Sequence, residues 1–160
     1  MRKSIYVPAI AMGTVALDLV TKYLADTMVA PFEPVEVLPV FSLVNVENTG
    51  AAFSMLSNLG NVFFITVALI AICFIMYLLI RTNESPVPLA LILGGAAGNL
   101  ADRLYYGYVR DFLDFHVSGW HWPAFNVADS ALTVGITILL VHGLFPVKQQ
   151  RPDPAPTDKR

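Results

Sequence analysis

Apolar residues along this chain fall into long blocks broken by short polar stretches. The first block runs from about Ile5 to Leu24. Its charge-free part ends at Leu17, too short to cross a bilayer, so a spanning helix must carry Asp18 with it and bring Lys22 to its far end. The second block, Val62 to Ile80, holds 19 residues without a charge. At about 1.5 Å per residue it reaches the length of a span, and Arg81 closes it. The third has 17 charge-free residues, Ser85 to Ala101, and then meets Asp102 and Arg103. It can cross only if that polar end reaches an interface or faces protein. The fourth runs from about Asn126 to Phe145. The predicted spans are therefore 5–25, 60–80, 86–105 and 126–145, within one membrane-embedded domain over 1–147. The basic start, Arg2–Lys3, precedes an apolar run as in a leader, but Pro8, Asp18 and the lack of a small-residue cleavage site favour a retained first span.

The connections differ in character. Residues 26–58 contain Pro31, Pro34 and Pro39, then a valine-rich stretch from Val35 to Val46 that predicts short strands, then a turn at Asn48–Thr49–Gly50. Residues 82–85 form a short link. Residues 106–125 form a loop rich in aromatics, including Tyr108, Phe112, Trp120 and Trp122, which suit the headgroup layer. The tail from Pro146 has four prolines and six charges, and 148–160 is expected to be a disordered cytoplasmic tail. Arg2, Lys3, Arg81 and the basic residues of the tail share one side of a four-span plan, and the positive-inside rule makes that side cytoplasmic. The expected fold class is an all-α polytopic membrane protein: four transmembrane helices with a small extracytoplasmic β-rich platform.

Composition agrees with this. Of 160 residues, 56% are apolar and only 14% charged, against about 25% charged in soluble domains. Net charge is −2, without a basic patch, so nucleic acid is not an expected partner. The single cysteine, Cys73, excludes an internal disulfide and reads as a small buried hydrophobe. His116, His121 and His142 show no metal-site spacing, and there is no H-E-x-x-H or G-x-S-x-G motif.

What composition does not explain is a set of polar residues at helix ends. Asp18, Asp102, Asp111, Asp114 and Asp129 all fall near the outer edge of the spans, where ionisable groups are functional candidates. Asp18 and Lys22 share a helix face and can pair, which would by itself account for them. Gly94 and Gly98 form a small-xxx-small pair suited to close helix packing. Beyond them, Asn99, Asp102 and Arg103 make a polar inward stripe, with Arg103 suited to a buried carboxylate or a lipid phosphate. Asn126 suits a helix cap, and Asp129 in the first turn suits the helix dipole. Paired aspartates are the best-supported hydrolytic scheme; an ion carrier or an assembly subunit remains the alternative.

Taken in order, these residues resemble the bacterial lipoprotein signal peptidase (signal peptidase II) family. The likeness covers about 5–145. It is carried by Asp18 and Lys22, by Asn48–Thr49–Gly50–Ala51–Ala52–Phe53, and by Gly94–Gly95–Ala96–Ala97–Gly98–Asn99–Leu100–Ala101–Asp102–Arg103. Val109–Arg110–Asp111–Phe112 and Phe125–Asn126–Val127–Ala128–Asp129 complete it. The resemblance implies an aspartic endopeptidase of the bacterial inner membrane that removes the signal peptide from diacylglyceryl-modified prolipoproteins, cutting immediately before the lipidated cysteine. It implies Asp111 and Asp129 as catalytic. Asp18, Lys22, Asn48, Gly50, Asn99, Asp102, Arg103 and Asn126 would bind substrate or support the site. No metal, cofactor or obligate protein partner is expected. Membrane phospholipid and the inhibitor globomycin are expected partners, with the site near the extracytoplasmic face.

The topology is testable. Reporter fusions are expected to place the N-terminus, residues 82–85 and the tail in the cytoplasm, and residues 26–58 and 106–125 outside. An outward-facing C-terminus would contradict the four-span plan.

Overall fold

The computed structural model describes residues 3–50, 57–82 and 85–144. The expected disordered tail and the Ala51–Ala52–Phe53 part of the turn motif lie outside them. Four helices follow the four apolar blocks: α1 (Lys3–Met28), α2 (Gly60–Arg81), α3 (Pro86–Tyr105) and α4 (Val127–Leu144). A 3₁₀ turn, Ser57–Leu59, precedes α2. Three of the helices, α1 over Tyr6–Met28, α2 and α4, are long and apolar enough to cross a membrane. The third helix has 20 residues but is diluted by glycine and by its polar end.

That dilution has a structural reason. The third helix packs against all three others. It carries more buried positions than any other helix, including Leu89, Ala90, Gly94, Gly95, Gly98 and Asp102. Its glycines let helices approach closely. A Cβ at Gly94 would fall 2.7 Å from Thr14 Cβ on α1, and one at Gly95 would fall 2.5 Å from the Ala128 carbonyl of α4. The fourth helix answers with Gly135, where a Cβ would meet the Pro88 carbonyl at 2.8 Å. Small residues thus serve packing where lipid provides no hydrophobic drive between helices.

Outward faces are apolar. Leu17, Val20, Val62, Ile70, Phe74, Ile80, Ile136 and Leu140 are exposed, while Asp18, Lys22, Asp102 and Asn126 are almost completely buried. This is the distribution expected of a bundle solvated by hydrocarbon. Cys73 lies exposed on α2 and is not the buried hydrophobe expected from its neighbours. Its block is apolar all round, so the pattern alone did not say which face would lack a protein neighbour.

Strands β1 (Val35–Leu38) and β2 (Phe41–Asn48) arise in the valine-rich stretch. The aromatic connection adds β3 (Val109–Val117) and β4 (Trp120–His121), giving one antiparallel sheet in the order β1-β2-β3-β4. Residues 106–125 therefore supply half the strands of the sheet, in addition to a loop. The register sets Asn48 opposite Val109 and Val46 opposite Asp111. At the far edge, Phe112 and Leu113 N–H both donate to the Phe125 carbonyl (3.1 and 2.9 Å), and Phe125 N–H returns a bond to Leu113 (3.1 Å). Those bonds fasten the start of α4 to β3.

Gly98 ties this packing to the charged residues, because a Cβ there would lie 2.6 Å from Asp18 Oδ2 and 3.4 Å from Ala128 Cβ. Gly98→Leu is expected to cost about 1–3 kcal/mol through overpacking and to lower the melting temperature in detergent. Gly13→Ala, inside α1 at a position with nothing within 4 Å, is the control and is not expected to lower it. An unaltered melting temperature for Gly98→Leu would contradict this packing.

Candidate active site

The site begins with three residues of α1 spaced four apart. Asp18, Lys22 and Asp26 share one face. Lys22 Nζ lies 2.8 Å from Asp18 Oδ2 and 3.1 Å from Asp102 Oδ2 of α3. Asp102 also receives Arg110 of β3 through Nη2 (2.7 Å) and the backbone N–H (3.1 Å). Arg110 Nη1 continues to Asp26 (2.7 Å), and its guanidinium lies 4.4 Å from the Tyr106 ring centroid. An alternating row of charges, Asp18–Lys22–Asp102–Arg110–Asp26, thereby joins α1, α3 and β3. The two carboxylates hold the Arg110 guanidinium well above its ordinary pKa, against the opposing effect of burial.

Asp18 has a second task. Its Oδ1 accepts the Ala128 N–H in the first turn of α4 at 2.8 Å, where helix N–H groups lack intrahelical partners. Asn126 caps the same helix: its Oδ1 accepts Asp129 N–H at 2.9 Å, and Asp129 Oδ2 accepts Asn126 N–H at 3.3 Å. This is a reciprocal capping box. The capping role expected of Asn126 is present, and Asp129 is tied into it.

The remaining polar residues link this helix start to the sheet. Asn126 Nδ2 donates to Asp111 Oδ1 at 2.7 Å and contacts Asn99 Oδ1 at 3.2 Å. Lys22 Nζ also donates to Asn99 Oδ1, at 3.0 Å. With its oxygen so engaged, Asn99 turns its amide nitrogen to Asp129 Oδ1 at 2.7 Å. Asn48 Nδ2 donates to Asp111 Oδ2 at 2.8 Å, and Asn48 Oδ1 accepts Gly50 N–H at 2.9 Å in an Asx-type turn. Asp111 and Asp129, 18 positions apart in sequence, thus share Asn126 as a common donor.

Asp18, Lys22, Asn48, Asn99, Asp102 and Asn126 all enter this network with the two aspartates. Arg103 and Gly50 meet separately. Arg103 Nη2 donates to the Gly50 carbonyl, its guanidinium sits 4.4 Å from the Phe64 ring centroid, and Asn61 Nδ2 holds its carbonyl at 2.8 Å. Arg103 forms no ion pair among the described residues, so of the two partners suited to it, a buried carboxylate or a lipid phosphate, the carboxylate is not in contact with it. Arg110 and Asp26 were missed as site-building residues. The four-residue spacing of Asp26 from Lys22 was the available signal; nothing local announced a partner 84 positions away. Among the described residues no group of three or more histidine, cysteine or carboxylate side chains is placed to hold a metal ion.

Two grooves open on the aspartates. One, about 540 Å³, is mainly apolar and runs from Asp129 along Leu132, Thr133 and Val134 of α4. The other, about 380 Å³, lies against the sheet and includes Asn48, Asp111, Asp114 and His121. Trp122, Pro123 and Ala124 border both. Burial, reinforced by the Asp129 carboxylate, pushes Asp111 up to about 7, so the pair can retain one proton near neutrality. A water molecule in these grooves would meet both a base and an acid.

Apolar helices with two buried, interacting carboxylates at one end suit a membrane enzyme of the aspartic-peptidase type. Comparison with known proteins agrees. The family model described as signal peptidase (SPase) II matches residues 10–145. The lipoprotein signal peptidase of Thermodesulfovibrio yellowstonii is 44% identical over 145 residues, which cover 90% of this chain and 99% of that protein. That of Francisella tularensis subsp. novicida is 45% identical over 148 residues, covering 88% and 92%. A solved bacterial membrane enzyme superposes with a TM-score of 0.82 at 32% identity, covering 92% of this chain and 93% of that one. The chain belongs to the signal peptidase II family.

The proton on the pair sets a pH dependence. An Asp111 carboxyl that titrates near 7 loses its proton as pH rises through that value, so kcat/KM for precursor cleavage is expected to fall on the alkaline side. The Asn48 hydrogen bond favours the ionised form. Asn48→Ala should therefore raise this pKa and move the alkaline limb to higher pH. A limb that stays in place or moves down would contradict the assignment.

Proposed function

We propose that Asp111 and Asp129 are the catalytic pair of a peptidase that removes signal peptides from diacylglyceryl-modified prolipoproteins, cutting immediately before the lipidated cysteine. The observation that carries this reading is the convergence of both aspartates on Asn126, at 2.7 Å from Asp111 and 3.3 Å from Asp129, beside open grooves. In the reaction the ionised carboxylate takes a proton from water as its oxygen bonds to the scissile carbonyl carbon. The protonated partner hydrogen-bonds the carbonyl oxygen. Proton transfer to the amide nitrogen then breaks the C–N bond and frees the lipidated cysteine as a new amino terminus. The pair titrates as a unit.

The remaining residues have supporting roles in this proposal. Lys22 and Asn126 both donate to the Asn99 side-chain oxygen, which leaves the Asn99 N–H to point at Asp129. Asn48 and Asn126 orient Asp111. Asp18, Asp102 and Arg103 hold the elements that present them. The third helix acts as a fourth span, because its polar residues face protein and its exposed ones, such as Val87 and Leu104, are apolar. The sheet forms a platform at the extracytoplasmic surface, with both termini in the cytoplasm and the bundle in the inner membrane. A signal peptide is itself a membrane helix, so a cut site at helix ends meets it where it leaves the hydrocarbon. The lipid chains keep to the apolar groove along α4, and globomycin inhibits by competing for the cleft.

The test is substitution of the pair. Asp111→Asn and Asp129→Asn are each expected to insert, fold and bind lipidated precursor, yet to cleave it at least roughly a hundredfold more slowly. The double variant should be little worse than either single one, since neither carboxylate alone completes the cycle. Melting temperature, precursor binding and cleavage are measured on the same purified samples. A folded single variant with near-normal turnover would refute the mechanism.

A further inference from the structure

His121 and Asp114 form a pair that the chemistry above does not use. His121 Nδ1 lies 2.8 Å from Asp114 Oδ2 and 3.1 Å from Oδ1. The Asp114 side chain is 9% exposed and that of His121 58% exposed. The carboxylate accepts, so Nδ1 is the donor and the ring is held by one nitrogen. Among the described residues its Nε2 has no hydrogen-bond partner. The ring is thus oriented, and its exposed Nε2 is accessible to a chain lying in the groove.

Its location says what that partner is. Both residues line the same 380 Å³ groove as Asp111 and Asn48, on the sheet and clear of the apolar helix faces. The 122–124 segment separates this groove from the apolar one beside Asp129. A precursor cut between the two aspartates has unlike halves. Its signal peptide and acyl chains are apolar and remain with hydrocarbon, whereas the chain after the lipidated cysteine is polar and leaves the membrane. The groove on the sheet sets Asn48, Asp114 and His121 beside Asp111, whereas the groove beside Asp129 follows α4, so the sheet groove is the one placed to meet the polar half.

We propose that the His121–Asp114 pair is a specificity subsite for the residue that directly follows the lipidated cysteine. The inference rests on the peptidase reading and adds which part of the substrate this groove takes. Nε2 of the anchored imidazole bonds a small polar side chain or the backbone of that residue, and a bulky apolar side chain there leaves the imidazole unpaired. Asp114 acts as a positioning residue, since it holds the ring.

Synthetic diacylglyceryl-cysteine precursors that differ only after the cysteine (serine, glycine or leucine) provide the test. One hydrogen bond in such a site is worth roughly a three- to tenfold preference in kcat/KM for serine over leucine. His121→Phe is expected to abolish that preference by raising KM for the serine precursor, with kcat little changed. Asp114→Asn should weaken it in the same direction. If His121→Phe does not fold, His121→Ala takes its place, because the exposed side chain tolerates truncation. Unaltered preference in a folded His121 variant, or equal loss of kcat on all three precursors, would overturn the subsite. So would wild-type enzyme that cleaves serine and leucine precursors alike, and that result would leave the peptidase reading intact. Wild-type protein that cleaves none of them would overturn both.

Discussion

The structure depends on charges that a bilayer cannot tolerate singly. Five ionisable side chains, Asp18, Lys22, Asp102, Arg110 and Asp26, alternate in sign across α1, α3 and β3. An unpaired member in hydrocarbon would carry a large desolvation cost, so each constrains its neighbours. The row needs Asp18, Lys22 and Asp26 on one face, α3 close enough for Asp102 to reach Lys22, and β3 folded back over the helix ends. Bundle, sheet and site are therefore one arrangement, not three.

Close approach supplies the means. Gly98 leaves room for the Asp18 carboxylate, and Gly95 lets the start of α4 lie against α3. Asp18 then reaches both Lys22 and the Ala128 N–H, so one carboxylate ties the cationic centre of the row to the helix that carries Asp129. The same crowding excludes larger side chains from α3 and lowers its hydropathy. The one helix that falls short of a spanning composition among the described residues is the most enclosed one for that reason.

The two aspartates are held in unlike ways. Asp129 belongs to a capping box and moves only with α4, whereas Asp111 sits on a strand and is held by Asn48 and Asn126 side chains. Phe125 binds both supports through its backbone bonds to β3. Paired carboxylates repel when both are ionised, and holding each from a different direction keeps the two near each other against that repulsion. Preorganisation of this kind is what the chemistry requires of the protein.

Much of this was legible in the residues themselves. The four helices follow the four apolar blocks because hydrocarbon leaves the backbone few alternatives. The Asp18–Lys22 pair and the Asn126 cap follow from spacings of four and three, since a helix converts sequence interval directly into direction. The family was legible too, through the order of its polar motifs. Other features were decided only by tertiary structure. Nothing local set Arg110 between Asp102 and Asp26, turned the aromatic connection into β3, or left Cys73 exposed. Each depends on residues far apart in the chain, and strand pairing and helix facing carry no signal in the interval between neighbours. By itself the sequence determined which segments are helical, which residues pair within a turn, and which family the chain resembles. The meeting of Asp111 with Asp129 around Asn126, and the grooves on the sheet and along α4 that open on them, came only when the sheet closed over the helix ends, because that contact joins groups no local rule relates.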